Sequence, residues 1–385
     1  MNSSTKIRDV VLFVLFLIVT MILSFVLKVK LTSNSFLISS DKTANFEMSD
    51  FYNSVGYRSL HKKQGTASAI SNAVVVSTDN CSIFEISEII KNIESHNPKV
   101  IGLDIVFQKH EDSIDAPLVD VIKSCHSIVI PCYVDSSGCI IESPLFDTMG
   151  FKKAIINFPP AKNGAVRRYQ PRYTISPTSL NCFAMELCLQ QSPSKYQRQM
   201  NRLQKTELIS YYNFSPDVID GQRNLLAVDS SKYALLENKI KNKIVILGAI
   251  NNSNDMHITS NRNRMPGTII HAAIVDTILN ENQINDASKF VNTVVLFVFT
   301  TLFSLLVIWR VKKKKVAYNL VFRIIQGACL LLGLRICVYL YIRCKYYVDI
   351  MPTLISIGFV LLSYDIVYGF DEIVHYIANR KKQKK

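Results

Sequence analysis

The stretch "NAVVVSTDNCSIFEISEIIKNIESHNPKVIGLDIVF", Asn72 to Phe107, decides the fold. Its opening β-branched run, Asn72 to Asn80, ends in turn-forming residues, the pattern of a strand buried on both faces. From Ile83 to Ser95 the apolar residues recur at helical spacing, and Lys99 to Phe107 is a second buried strand. Strand, helix and strand within about 35 residues form a βαβ unit, which implies parallel strands joined by a right-handed crossover.

The alternation continues outward from this unit. A helix is predicted over Ala116 to Ser124 and a strand over Ser127 to Val134. In "GFKKAIINFPPAKNGAVRRYQPRYTI" two short strands flank the turn "AKNGAVRR", and "LNCFAMELCLQ", Leu180 to Gln190, reads as an amphipathic helix. "ELISYYNF" reads as a strand, and "NKIVILGAI", Asn242 to Ile250, as another buried strand. The loop "NNSNDMHITSNRNR" then leads into a helix, Thr268 to Leu279. These segments make one α/β domain with a mixed, largely parallel sheet. The polar stretch "TSNSFLISSDKTANFEMSDFYNS" ahead of it has no strong period and reads as an irregular stem.

The 385-residue chain also concentrates apolar residues in four runs. The first, Val10 to Leu27, carries no charge and can cross a hydrocarbon core of about 30 Å at 1.5 Å per residue. A cleaved signal peptide is the competing reading, but its apolar region is shorter and ends in small residues, whereas this one ends in "LKVKL". The other runs begin at Phe290, Ile324 and Ile350. Lys6 and Arg8 precede the first span, Lys312 to Lys315 follow the second, and "RKKQKK" follows the fourth. By the positive-inside rule these basic segments face the cytoplasm, although Lys28, Lys30, Arg343 and Lys345 run against it. The expected organisation is a cytoplasmic N-terminus (1–9), transmembrane helix 1 (10–27), an extracytoplasmic domain (28–289) and transmembrane helix 2 (290–309). A basic cytoplasmic loop (310–323), transmembrane helix 3 (324–342), transmembrane helix 4 (350–370) and a basic cytoplasmic tail (371–385) follow.

The net charge of +14 invites a nucleic-acid partner. Much of the excess lies in the tracts that anchor the helices at the inner membrane surface, so the membrane is the expected partner and nucleic acid is not. Of the nine cysteines, Cys81, Cys125, Cys132, Cys139, Cys182 and Cys188 fall in the outer domain. An even number in an oxidising compartment permits disulfides without giving their connectivity. The absence of a CxxC pair argues against a thiolate zinc site.

In open α/β sheets ligands bind beyond the carboxyl ends of the strands. Those ends carry Asp79, Asp104, and the loop with Asp255 and His257, which together form the candidate ligand site. Carboxylates with an imidazole could also hold a hard or borderline metal, although the sequence names no cofactor and leaves the metal unknown. Competing structural roles remain open: Asp79 as a helix cap, and Asp104 as a buried group holding a loop. In "MPGTIIHAA", Pro266 and Gly267 permit a sharp start to the helix. His271 shares a face with Val275 and Ile278 and reads as a structural histidine bonded to a backbone carbonyl or to Asp255. No GxSxG elbow is present to supply a nucleophile. Within the membrane the costly residues are Arg323, Gln326, Arg335 and Asp365. At 1.5 Å per residue Asp365 lies roughly 8 Å from the inner end, level with Arg323 to Gln326, so a contact with one of them is expected. Arg335 is expected to snorkel outward.

The segments "VVVSTDN", "KVIGLDIVF", "GFKKAIINFPPAKNGAVRR", "CFAMEL", "KIVILGAINNSNDMHIT" and "MPGTIIHAAIVDTIL", in this order, resemble the type-2 CHASE domain. That family is an extracytoplasmic sensory domain of bacterial receptors, with one helix before it and about three after. The resemblance implies a multi-pass protein of the bacterial inner membrane that binds an extracytoplasmic ligand and performs no catalysis. Two departures stand out. The family's Trp-Pro-rich segment is missing, the only tryptophan being Trp309. The sequence also runs only a short way past its last apolar run, where family members usually continue into a kinase or nucleotide cyclase, so a separate signalling partner is expected. The sequence also allows homo-oligomers. A metal-dependent periplasmic hydrolase built on Asp79, Asp104, Asp255 and His257, or an envelope scaffold that binds no small ligand, are the alternatives.

Overall fold

The computed structural model describes residues 3–32, 47–63, 71–146, 149–160, 164–175, 177–202, 204–226, 230–260, 263–311 and 318–383. Lys312 to Lys315 and part of the "AKNGAVRR" turn therefore lie outside the described residues. The chain divides into two compact units, Asp50–Ile284 and a second made of Met1–Ser49 with Asn285–Lys385.

The first unit is built on a seven-stranded sheet. From the edge inward the strands are Asp217–Asp220, Ala73–Ser77, Ile244–Gly248, Val100–Leu103, Ile128–Val134 and Ile140–Glu142, and Lys152–Ile155 also pairs with Ile128–Val134. Every pairing is parallel except that of Ile140–Glu142. The strand and helix assigned from the opening stretch are present, but the two strands of that unit are not neighbours. Ile244–Gly248, some 140 residues on in sequence, lies between them.

The period of two along each strand sorts the core into two layers. Val74, Val76, Ile101, Leu103, Val245 and Leu247 pack on the helices Ile83–Ser95 and Asp112–Ser124. On the other face Val75, Ile244 and Ile246 pack on Phe183–Gln191 and Gly267–Leu279. Ile83–Ser95 buries Ile86, Ile89, Ile90 and Ile93, and it is opened by a capping box in which Ser82 and Glu85 satisfy each other's backbone N–H groups. Ser82, not Asp79, is therefore the cap. Gly102 is required by packing: a Cβ there would lie 2.7 Å from Phe183 Cζ and 2.9 Å from Leu187 Cδ2. Gly102→Ala is expected to destabilise the domain by about 1–3 kcal/mol through overpacking. Chemical denaturation of the two proteins, read as a shift in midpoint at unchanged slope, checks this.

Several expectations are corrected. Residues Met48–Lys63 of the supposed stem and its continuation form a helix that buries Tyr52 and Asn53, with Asn53 Oδ1 accepting from the Tyr212 amide at 3.2 Å. The helix Phe183–Gln191 has no exposed residue, because it is sandwiched rather than laid on the surface. The strand expected in "ELISYYNF" is only Glu207–Leu208, followed by a 3₁₀ turn at Tyr211–Asn213. The two short strands flanking "AKNGAVRR" do not pair with each other: Lys152–Ile155 joins the main sheet and Arg172–Ile175 pairs with Thr178–Asn181, while Ala165–Val166, within the turn itself, pairs with Met256–Thr259. The edge strand Asp217–Asp220 and the helix Ser230–Ile240 had no clear signal. Among the described residues Cys81, Cys125, Cys132, Cys139, Cys182 and Cys188 of the outer domain form no disulfide. Burial pushes the thiols of Cys125, Cys132 and Cys182 up to about 12, far from the thiolate that disulfide chemistry needs.

Among the described residues the second unit contains four helices long and apolar enough to cross a membrane, at Ile7–Val26, Lys289–Trp309, Ile324–Arg343 and Met351–Ile377. The first packs on the fourth. Phe16 is fully buried and meets Tyr364 and Tyr368 edge-on, Ser356 Oγ donates to Ser24 Oγ at 2.9 Å, and Arg8 pairs with Asp371. Gln326 does not reach Asp365. Its Nε2 donates to the Ile357 carbonyl at 2.8 Å, two turns away along the same helix, where a backbone oxygen has a lone pair to spare. Asp365 and Arg335 are exposed on their helices, and the Arg323 side chain lies outside the described residues.

Candidate functional site

The carboxyl ends of Val100–Leu103 and Ile244–Gly248 lie side by side, and the chain leaving each of them supplies the site. Asp104 follows the first directly, its amide donating to the Leu247 carbonyl at 2.8 Å. After the second, a short 3₁₀ turn carries Asp255, and the strand Met256–Thr259 runs antiparallel to Arg264–Pro266. Pro266 then occupies the N-cap position of the helix Gly267–Leu279. This hairpin, the helix and the segment Ile156–Pro160 enclose a cavity of about 420 Å³. That volume lies in the usual range for a small-molecule site.

Two carboxyl–imidazole pairs line the cavity. In the inner pair, Asp104 Oδ1 lies 3.9 Å from His271 Nε2, with side chains only 8% and 3% exposed. Thr268 Oγ1 donates to Asp104 Oδ2 at 2.7 Å. Burial raises the Asp104 carboxyl to about 7, against a smaller opposing effect of the Thr268 hydrogen bond. Burial lowers His271 to about 3, so its ring is neutral. Between about pH 3 and 7 the pair is thus neutral, with the proton on the carboxyl. In the outer pair, Asp255 Oδ1 lies 3.2 Å from His257 Nε2, while Asp255 Oδ2 accepts from the Gly267 amide at 3.0 Å. Phe158 sits between the pairs, stacked on His271 at 4.7 Å and edge-on to His257 at 5.2 Å.

The reason for Gly267 is now visible: a Cβ there would lie 2.9 Å from both Asp255 carboxylate oxygens. His271 is buried as expected and lines the cavity, where its Nε2 faces Asp104 rather than bonding to Asp255. Its Nδ1 makes no hydrogen bond, although the Ile156 backbone is close enough to favour the protonated ring. Of the four candidate ligand-binding residues, the structure brings Asp104, Asp255 and His257 to the cavity. Asp79 is elsewhere. Its carboxylate accepts from the amides of Ile250 and Asn251 and from the Ser77 hydroxyl, tying together two strand ends. Among the described residues no three His, Cys, Asp or Glu side chains converge as a metal-ligand set would, because Asp79 is committed to that latch and Phe158 separates the two pairs.

Sequence reasoning missed Phe158, Asn157 and Tyr133, which also line the cavity. Asn157 acts as a strand substitute, accepting from the Val134 amide at 2.6 Å and donating to its carbonyl at 3.0 Å. The two prolines after Phe158 force an extended segment there and were the available signal.

No curated protein and no solved structure matches the chain. A family model does: that of the CHASE2 domain, over residues 62–309, which takes in the whole cavity and the second apolar helix. That match extends over more than half of the sequence, and the chain belongs to the CHASE2 domain family of extracytoplasmic sensory domains.

Proposed function

We propose that this protein is an integral-membrane sensor whose α/β domain binds a small ligand outside the cytoplasm and passes the event through its helices to a separate output partner. The observation that carries the reading is the cavity at the strand carboxyl ends, lined by Asp104, His271, Asp255 and His257, in a chain of a sensory family. A neutral buried pair beside a more exposed one is an arrangement that a ligand can bind and polarise, and among the described lining residues there is no serine, threonine or cysteine. In the proposed topology both termini and Lys312 to Lys315 are cytoplasmic and the domain lies outside a bacterial inner membrane. The Arg8–Asp371 pair supports placing the two ends on one side. A reporter fused to the C-terminus is expected to be active in the cytoplasm, and periplasmic activity would refute the orientation.

A ligand shifts the helices only by as much as it binds one arrangement better than another. The Ser24–Ser356 contact between the first and fourth helices is a place where two arrangements could differ. Cysteines at positions 24 and 356 are expected to crosslink in membranes, to an extent that ligand changes. Asp104→Asn and Asp255→Asn are expected to leave folding nearly intact at pH 7 and to abolish both the ligand-induced rise in melting temperature and the change in crosslinking. Loss of folding without a specific loss of response would make these residues structural.

A further inference from the structure

We infer that the cavity takes a small organic cation, an ammonium group carried on an apolar body, and rejects anions of the same shape. This rests on reading the cavity as the sensory site and names the chemistry of its ligand.

The first observation is the sign of the lining. Among the described residues the walls offer the carboxyl groups of Asp104 and Asp255, and neither lysine nor arginine. The second is that the natural anion position of this fold is already filled. The amino end of the helix Gly267–Leu279 points at the cavity, and such an end attracts phosphate or carboxylate in many α/β proteins. Here the Gly267 amide is taken by Asp255 Oδ2 at 3.0 Å, and the absent Cβ of Gly267 lets that carboxylate approach. An incoming anion would have to displace a carboxylate of the chain itself. The third is the orientation of the outer pair. With His257 Nε2 bonded to Asp255, its Nδ1 is left as an acceptor for a ligand N–H. The fourth is the apolar wall of Phe158, Pro159 and Pro160, suited to a hydrocarbon or aromatic body.

The inner pair supplies a signature. Asp104 is faced by His271 and Thr268 from the helix, by Asp255 from the preceding turn, and Tyr133 of the adjacent strand shares its cavity. It is the buried carboxyl that holds a proton up to about pH 7. An ammonium group near it favours the ionised form, so binding should release that proton to solvent. A neutral ligand would leave the proton in place, and an anion would hold it more firmly.

The experiment uses the full chain purified in detergent, with ethanolamine, putrescine, choline and benzylamine as probes, and alcohols and carboxylates of the same skeletons as controls. Titration calorimetry in two buffers of different ionisation enthalpy counts protons. For at least one amine the expected result is binding at least tenfold tighter than its matched alcohol and none by the carboxylate. About one proton should be released near pH 6, and affinity should rise about tenfold per pH unit up to pH 7. In Asp104→Asn the proton release should vanish; should that variant fail to fold, the proton count on the unaltered protein stands as the test. Tighter binding of an alcohol or carboxylate at the cavity overturns the cation assignment and leaves the sensory reading in place. Binding of amines with no proton release, or release that persists in Asp104→Asn, overturns the role given to Asp104. Failure of every probe overturns the proposal, while the crosslink between positions 24 and 356 formed without any ligand still tests the helix packing separately.

Discussion

Asp50→Ala is expected to cost the α/β domain about 3–5 kcal/mol, because it leaves a buried guanidinium without its carboxylate. Arg167 Nε and Nη2 donate to the two Asp50 oxygens at 2.7 and 2.9 Å, and the two side chains are 6% and 3% exposed. The pair joins the helix Met48–Lys63 to the segment just after Ala165–Val166, across 117 residues of sequence. For a domain of this size the loss corresponds to a fall in melting temperature of roughly 6 to 20 °C. The same physics says that the pair itself is a weak source of stability, since both charges lost their hydration to form it. Asp50→Leu combined with Arg167→Met is therefore expected to recover most of the loss. A double variant as unstable as Asp50→Ala would show that the ion pair, and not the unpaired charge, was responsible.

A pH-stability profile that is flat in the unaltered protein and sloped in two opposite variants is the second large effect. Unfolded, Asp104 loses its proton near 3.8 and His271 near 6.5. Folded, burial keeps the carboxyl protonated to about 7 and the imidazole neutral down to about 3. Between about pH 4 and 6.5 each state therefore holds one proton on the pair, on the histidine when unfolded and on the aspartate when folded. Folding moves the proton from the histidine to the aspartate and replaces two hydrated charges by two neutral buried groups. In His271→Gln only Asp104 remains. Its folded form then binds the extra proton, and stability should fall as pH rises from about 4 to about 7, by about 1.4 kcal/mol per unit. In Asp104→Asn only His271 remains. Its unfolded form then binds the extra proton, and stability should fall by a similar slope as pH drops from about 6.5 toward 3. Denaturant midpoints measured across that range test both slopes. Parallel profiles in all three proteins would mean that the pair does not exchange its proton on folding.

The layer structure was legible from local sequence. Buried parallel strands are continuous β-branched runs, and "AVVVS" and "IVILG" can hardly be anything else between turn residues. The membrane helices were equally plain, because a hydrocarbon core demands length and apolarity that short-range composition reveals directly. Even the carboxyl-end position of Asp104 and Asp255 followed from strand assignment alone.

Strand order did not, because the neighbours of Ala73–Ser77 and Val100–Leu103 come from far along the chain and their contacts leave no local period. The polar helix Met48–Lys63 escaped notice for a related reason: its buried face is made of Asp50, Asn53 and Tyr52, which are satisfied only by Arg167, Tyr212 and other distant partners. The same holds at the site. Sequence proposed Asp79, Asp104, Asp255 and His257 as one group and set His271 apart as structural. Tertiary structure turned Asp79 into a latch and brought His271 and Phe158 into the cavity. Residue type and strand ends determine which groups could reach the site. Only the packing of the helix Gly267–Leu279 against the sheet decides which of them lose water, and with it their charge.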